Sequence, residues 1–394
     1  MAAREPSLRL HPGRESSVRR RHPWLFAGAV AQVQGDPEPG ATVVVRTSSG
    51  EPLGRASWSP ESQLVARFWT FETDEVVDEA FVASRVREAA ARRQAVFADS
   101  DAARLVFAES DGLPGIVADR YGPWVVVQLG SAGADRWRTV LAHAFRDLDG
   151  VAGVLERSDL DVRAKEGLAE RVGALAGVDV PDEVPFREYG WELVANPWTG
   201  HKTGAYLDQR ENRARVTSLA DGRRVLNVCC YTGGFSVAAA RGGATTVTQV
   251  DSSATALARA EQTLARNGLA PARSVDGDMF RELRRLRDAV ERFDLVVLDP
   301  PKLVHSARQL QRATRAYKDL NLQALHLLAP GGRLVTFSCS GLLEEALFQK
   351  VVAGAALDAG KDARVVARLT QASDHPVLLS FPESAYLKGL VVEV

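Results

Sequence analysis

The rhythm that begins near residue 186 restricts the fold of this 394-residue chain more than any other feature. Short apolar runs, Arg224–Val228, Thr246–Val250, Phe293–Leu298, Arg333–Phe337 and Arg364–Leu369, stand there between segments of helical pattern. Parallel strands need long crossovers, and a helical crossover must bury its apolar stripe on the sheet. The alternation therefore predicts an α/β domain over residues 186–394, a mostly parallel sheet with helices on both faces. Ligands of such a sheet gather at the carboxyl ends of its strands.

The chain is long enough to require further domains. Residues 1–71 are short apolar runs, Ala41–Arg46 and Gln63–Trp69 among them, broken by turn chemistry at Gly35–Gly40 and Ser48–Pro52. A small β-rich module is expected. Residues 72–185 read as a small α+β middle domain. Its first helix is expected over 75–98, burying Val76, Val77, Ala80, Phe81, Val82 and Val86. Strands follow at Arg104–Phe107, Ile116–Asp119, Trp124–Leu129 and Gly153–Glu156, with a helix over 134–146 and a connector over 173–185.

A hydrophobic fraction of 45% and a charged fraction of 25% exclude a disordered chain. No apolar run reaches the roughly 18 residues that cross a bilayer, so no membrane association is expected. The N-terminus has arginines but no apolar core and no small-residue cleavage site, and no signal peptide is read there. Three cysteines, with Cys229 and Cys230 adjacent, cannot build a disulfide framework, which points to a reducing, cytoplasmic setting. Neither they nor the seven histidines have a metal-ligand spacing. The net charge of −1 excludes a uniformly basic nucleic-acid binder. Locally, Arg4, Arg9, Arg14, Arg19, Arg20 and Arg21 face only Glu5 and Glu15, a basic arm that can attract phosphates; a solvated terminal segment is the alternative.

At the first strand of the α/β domain, Arg224–Cys229 runs into Tyr231-Thr232-Gly233-Gly234-Phe235-Ser236 and an alanine-rich helix. Glycines there let backbone approach a ligand, and the turn is not the G-x-G-x-x-G of nicotinamide enzymes. Asp251 closes the second strand, where a carboxylate can accept from ribose hydroxyls, and Asp278 follows the third, where one can meet an adenine amine. Three such features in order point to an adenosine-containing cofactor. Upstream, Gly200–Arg210 is dense in polar residues and reads as a loop over the cofactor that offers Lys202 or Arg210; a capped helix start is the alternative.

The fourth strand ends in Asp299-Pro300-Pro301-Lys302, whose prolines stiffen the loop beside the carboxylate. Enzymes that methylate exocyclic amines usually carry an aromatic residue after this motif, and Lys302 disfavours that chemistry. The fifth strand delivers Ser338-Cys339-Ser340-Gly341 to the same sheet edge. Carbon 5 of cytosine becomes nucleophilic when a thiolate adds to carbon 6. Cys339, flanked by serines and opposite Asp299, reads as that thiolate, with a small buried packing residue as the alternative. Cys229 and Cys230 read as packing or cofactor-loop residues.

Taken together these residues resemble the bacterial 23S rRNA cytosine-5 methyltransferases, built from a PUA domain, an EEHEE middle domain and a class I (Rossmann-like) methyltransferase domain. The likeness rests on Arg19–Trp24 with Phe26–Ala29, Glu109–Gly115, His201–Arg210, Tyr231–Phe235, Asp299–Lys302, Tyr317–Asn321, Phe337–Gly341 and Ala372–Pro376. It implies S-adenosylmethionine as cofactor, held by Gln209, Arg210, Asn227, Tyr231, Thr232, Gly233, Gly234, Phe235, Asp251, Ser252, Asp278 and Asp299. It implies catalysis by Cys339 and Asp299, and contact of Arg19, Arg20, Arg21 and Lys302 with 23S rRNA, free or partly assembled. Likeness to members acting on cytosine 1962 implies that target. Many other RNA cytosine-5 methyltransferases carry a second cysteine after the Asp-Pro motif, and Lys302 stands in its place here. Methylation of a base nitrogen and a non-catalytic RNA-binding assembly factor are the competing readings. The oligomeric state is open, a homodimer being compatible.

Overall fold

The computed structural model describes residues 5–304 and 306–394, so Arg4 of the basic arm lies outside the described residues. The chain forms two compact units. The first comprises the residues up to Glu188 together with Val194–Leu207 and Ser373–Ser384; the second comprises Tyr189–Leu193, Asp208–Ala372 and Ala385–Val394. Among the described residues no helix is long and apolar enough to cross a membrane.

In the first unit, Ser7–Leu10 (β1), Trp24–Leu25 (β2), Val30–Gln34 (β3), Thr42–Arg46 (β4), Pro52–Trp58 (β5) and Ala66–Thr70 (β6) form a six-stranded sheet in the order β2-β6-β5-β4-β1-β3, with a single turn of helix at Ser16–Arg19 (α1). Leu8, Leu10, Val43, Val45, Ala56, Ala66 and Phe68 make its core, the β-rich module expected from the turn-punctuated sequence. The helix Glu79–Arg92 (α2) follows. It begins four residues later than expected, because Asp78 accepts from the Phe81 N–H at 2.9 Å and caps it there. Val76 is accordingly 65% exposed and Ala80 also faces solvent, while Phe81, Val82, Val86 and Ala89 are buried.

A second sheet in the order β11-β10-β9-β8-β7 is built from Ala102–Phe107 (β7), Ile116–Tyr121 (β8), Trp124–Leu129 (β9), Gly153–Ser158 (β10) and Arg171–Gly177 (β11). Between β9 and β10 the expected helix is two pieces, Ala132–Arg136 (α3) and Arg138–Arg146 (α4), and a turn at Asp161–Ala164 (α5) precedes β11. The expected connector is thus partly a strand: β11 pairs antiparallel with β10 as an edge. No position of it is fully buried, so it lacks the alternation that marks a half-buried strand. Asp111, in the Glu109–Gly115 turn, explains that motif. Its carboxylate takes a buried two-pronged bond from Arg93 (2.7 and 2.6 Å) and the Phe107 N–H at 2.7 Å, tying α2 to β7.

Two short strands, Val184–Glu188 (β12) and Trp191–Ala195 (β13), lead onward. The second unit carries Arg210–Thr217 (α6), Arg224–Val228 (β14), Gly234–Arg241 (α7), Thr246–Asp251 (β15), Ala254–Arg266 (α8), Arg273–Asp276 (β16), Met279–Asp288 (α9), Phe293–Leu298 (β17), Leu310–Leu327 (α10), Leu328–Ser338 (β18), Glu345–Asp358 (α11), Arg364–Thr370 (β19) and Lys388–Glu393 (β20). Its seven strands run β16-β15-β14-β17-β18-β20-β19. β16, β15, β14, β17 and β18 are parallel neighbours; β20 lies antiparallel between β18 and β19. Leu226, Val228, Val296, Leu298 and Leu334 of the sheet pack with Leu283, Leu320, Ala324 and Phe348 of the helices. β20 departs from the strand–helix rhythm of the sequence, because no α-helix separates it from β19.

Candidate active site

β14, the central strand of the parallel set, delivers its carboxyl end to a strained turn. Cys229 (φ 61°), Tyr231 (φ 49°) and Gly233 (φ 83°) are left-handed, an arrangement two non-glycine residues adopt only when the surroundings enforce it. The enforcement is visible. Asp251 at the end of β15 accepts the Tyr231 N–H at 2.8 Å and the Ser253 N–H at 3.0 Å. A carboxylate has about four lone-pair sites, so acceptor capacity remains for a ligand. At Gly233 a side chain has no room, since a Cβ would lie 2.8 Å from the Cβ of Ala260 on α8. Thr232 is half-buried and Ser252 exposed beside the turn, while Phe235 is buried and stacks on Phe337 with ring centroids 5.7 Å apart.

Asn227, wholly buried on β14, donates to the Ser236 hydroxyl at 3.0 Å, while its own side-chain oxygen has no hydrogen-bond partner among the described residues. Such an orphaned acceptor is costly unless something bound there meets it. Asp278 has a role the sequence did not suggest. One of its oxygens caps α9 by accepting from Phe280 (3.0 Å) and Arg281 (3.1 Å). Arg210 is buried, 3.6 Å from Glu211.

β17 and β18 are adjacent and parallel, so Asp299 and Cys339, each the first residue beyond its strand, reach the same sheet edge. Asp299 accepts from the Gln209 side chain at 3.0 Å, and Gln209 is itself bonded by Asn212 at 2.6 Å. Burial, reinforced by the nearby charge of Asp208, pushes the Asp299 carboxyl up to about 7 against the opposing effects of Gln209 and Arg213. Near neutral pH it is poised between acid and anion.

Cys339 is half-buried between two buried serines, and its turn is held on two sides. Ser338 donates to the Tyr317 hydroxyl at 3.0 Å, which lies 3.1 Å from the Ser340 hydroxyl. Lys388 donates to the carbonyls of Ser340 and Leu343, both at 2.7 Å. The other two thiols differ. Burial pushes Cys229 up, with Asp299 and Asp251 adding to it, and burial does the same to Cys230, so both stay protonated and poorly nucleophilic.

In the first unit, α1 ends in the arginine run: Arg19 pairs with Glu51 at 2.6 Å, Arg21 with Glu72 at 3.0 Å, and Arg20 is exposed. Lys302, in the second unit, is exposed. Asp208, Arg213, Tyr317 and Lys388 join the site only in the folded structure. Asp208 and Tyr317 lie within the family-like runs and were findable; Lys388 sits in the strand that the rhythm did not reveal.

Residues 187–378 match the family described as S-adenosylmethionine-dependent methyltransferase, and residues 8–71 match the PUA-like domain. The ribosomal RNA large subunit methyltransferase I of Aeromonas hydrophila subsp. hydrophila is 48% identical over 391 residues, 98% of this chain and 98% of that protein. Among solved structures, one from Streptococcus mutans described as a SAM-dependent methyltransferase has a TM-score of 0.85 at 23% identity, covering 98% of this chain and 100% of its own. A methyltransferase solved with S-adenosylhomocysteine has the same score and coverage at 22% identity. At those identities the likeness speaks for the fold: an N-terminal PUA domain and a class I methyltransferase domain. The cofactor is S-adenosylmethionine, and the glycine cradle, the orphaned Asn227 oxygen and the spare acceptor capacity of Asp251 fit such a group. Gly233→Ala is expected to lower stability by about 1–2 kcal/mol through left-handed strain and the clash with Ala260, and to weaken cofactor binding in calorimetry. An unchanged Tm and Kd would remove the cradle argument.

Proposed function

This chain belongs to the ribosomal RNA large subunit methyltransferase I family, a group of S-adenosylmethionine-dependent enzymes whose substrate is large-subunit rRNA, and from that membership we propose that it methylates carbon 5 of a cytosine in 23S rRNA through a covalent adduct on Cys339. The observation that carries the proposal is the pairing of Asp299 and Cys339 on adjacent parallel strand ends, beside the glycine turn of β14. The likeness noted in the sequence makes cytosine 1962 the proposed target.

S-adenosylmethionine supplies an electrophilic methyl group. The residues do the rest. The Cys339 thiolate forms a bond to carbon 6, the electrons of the C5–C6 double bond shift to C4–C5 and those of the C4–N3 double bond to nitrogen 3, which leaves carbon 5 an enamine-like nucleophile. Asp299, held by Gln209, hydrogen-bonds the ring nitrogen and edge amine, and its neutral form can donate to the nitrogen on which charge develops. Once carbon 5 carries the methyl group, its proton leaves to a base and the C6–S bond breaks, returning the thiolate. With Lys302 where other enzymes have a second cysteine, that base is of another kind. Gln209, Arg210, Asn227, Tyr231–Phe235, Asp251, Ser252 and Asp278 are proposed to hold the cofactor. Residues 1–71, with Arg19, Arg20 and Arg21, and Lys302 are proposed to bind RNA phosphates; 72–185 is the middle domain and 186–394 the catalytic one.

The test uses deproteinised 23S rRNA, labelled cofactor and bisulfite sequencing. A labelled cytosine that resists bisulfite, and a denaturant-stable complex with RNA containing 5-fluorocytosine, are expected. Label on a bisulfite-sensitive base would favour nitrogen methylation, and no label despite cofactor binding would favour an assembly factor.

A further inference from the structure

Lys388 is buried in the interior of a sheet, where an ammonium group is expensive unless answered. It is the first residue of β20, in register with Ser338 on β18 and with Thr370 on β19. Its side chain is thereby directed into the turn that carries Cys339, and two of its three N–H donors go to the carbonyls of Ser340 and Leu343. Both carbonyls belong to the segment immediately after the thiol.

Among the described residues, titratable groups reach it from several elements. From the turn comes Cys339, from the first residue of α11 comes Glu345, and from α10 comes Tyr317, within electrostatic reach of Cys339. Glu345 is paired with Arg368 of β19, so its charge is already answered. Asp299, at the end of β17, is engaged by Gln209. Burial pulls the Lys388 ammonium down to about 8, and the nearby Cys339 and Glu345 act in the opposite direction. A cation in this place lowers the cost of a thiolate beside it, as cations do for reactive cysteines generally.

We propose that Lys388 is a positioning residue for Cys339: its ammonium group pins the Ser338–Leu343 turn through two carbonyls and supplies the positive charge that favours the thiolate, both before addition to carbon 6 and when elimination returns it. This rests on the nucleophile reading of Cys339 and deepens it.

The test reads the thiol without catalysis. Iodoacetamide labelling of the Cys339 peptide is followed by mass spectrometry against pH in the full chain, wild type, Lys388→Gln and Lys388→Arg. Glutamine keeps an N–H donor for the carbonyls but no charge. In Lys388→Gln the labelling profile is expected to move about one pH unit to the alkaline side, with kcat down at least about tenfold and the Kd for S-adenosylmethionine unchanged. Lys388→Arg is expected to restore most of the profile. A Lys388→Gln profile that superposes on wild type would overturn the proposal, as would an arginine variant shifted as far as the glutamine one. If Lys388→Gln fails to bind cofactor and so to fold, the arginine variant decides: a wild-type profile supports the proposal and a shifted one overturns it. An active Cys339→Ala would overturn the nucleophile reading instead, whatever the labelling profile. An unshifted profile beside an inactive Cys339→Ala removes Lys388 alone.

Discussion

Cys339→Ala is expected to abolish methyl transfer to 23S rRNA, a loss of roughly 10⁴-fold or more in kcat, while the Kd for S-adenosylmethionine stays within about twofold. The size of the effect follows from the chemistry. Without addition to carbon 6, carbon 5 of cytosine is too weak a nucleophile to take the methyl group. Cys229 and Cys230, on the other side of β17 in strand order, are held protonated by burial. The separation of effects follows from the fold: the glycine turn proposed to hold the cofactor follows β14, whereas Cys339 follows β18. Labelled-methyl transfer with calorimetry on one preparation checks both halves. Activity within about tenfold of wild type would remove the covalent route.

Asp299→Asn is expected to have the second large effect, a fall of roughly 10²–10³-fold in kcat/KM, because on the proposed route an amide cannot supply a proton to the ring nitrogen as charge develops there. This residue also predicts a pH signature with a definite sign. Its carboxyl titrates near 7 in the folded protein, above the ordinary 3.8. The native state therefore holds this proton more tightly than the unfolded chain does. The stability it contributes is complete below about pH 4 and is lost as the pH rises to about 7. Asparagine has no such loss. The Tm of Asp299→Asn should draw ahead of wild type between pH 4 and 7 and keep a constant lead above it. A constant difference across the whole range would mean that the carboxyl is not raised. In activity, the limb of the wild-type profile that falls as Asp299 ionises should be absent from the residual activity of the variant.

Much of the second unit was legible because strands covered on both faces read as mostly apolar runs with turn residues at their ends. Phe293–Leu298 is bounded as its pattern suggested, and Asp299 directly follows it. Strands without that signature escaped: β11 is an exposed edge, and β20 is reached through a long segment that is not a helix. Helix α2 was misplaced at its start because a local cap at Asp78 overrode the apolar residues before it.

Local pattern thus determined the parallel sheet, the glycine turn after β14 and the placing of Asp299 and Cys339 at strand ends, because each depends on neighbours within a few residues. Tertiary structure alone decided how those groups behave. The raised Asp299 carboxyl depends on burial and on Asp208, 91 residues earlier in the chain. The Cys339 turn is gripped by Tyr317 from a helix and Lys388 from a strand 48 residues away from Ser340. Desolvation and Coulomb interaction act through space, and no spacing along the chain reports which distant charges the fold will bring together.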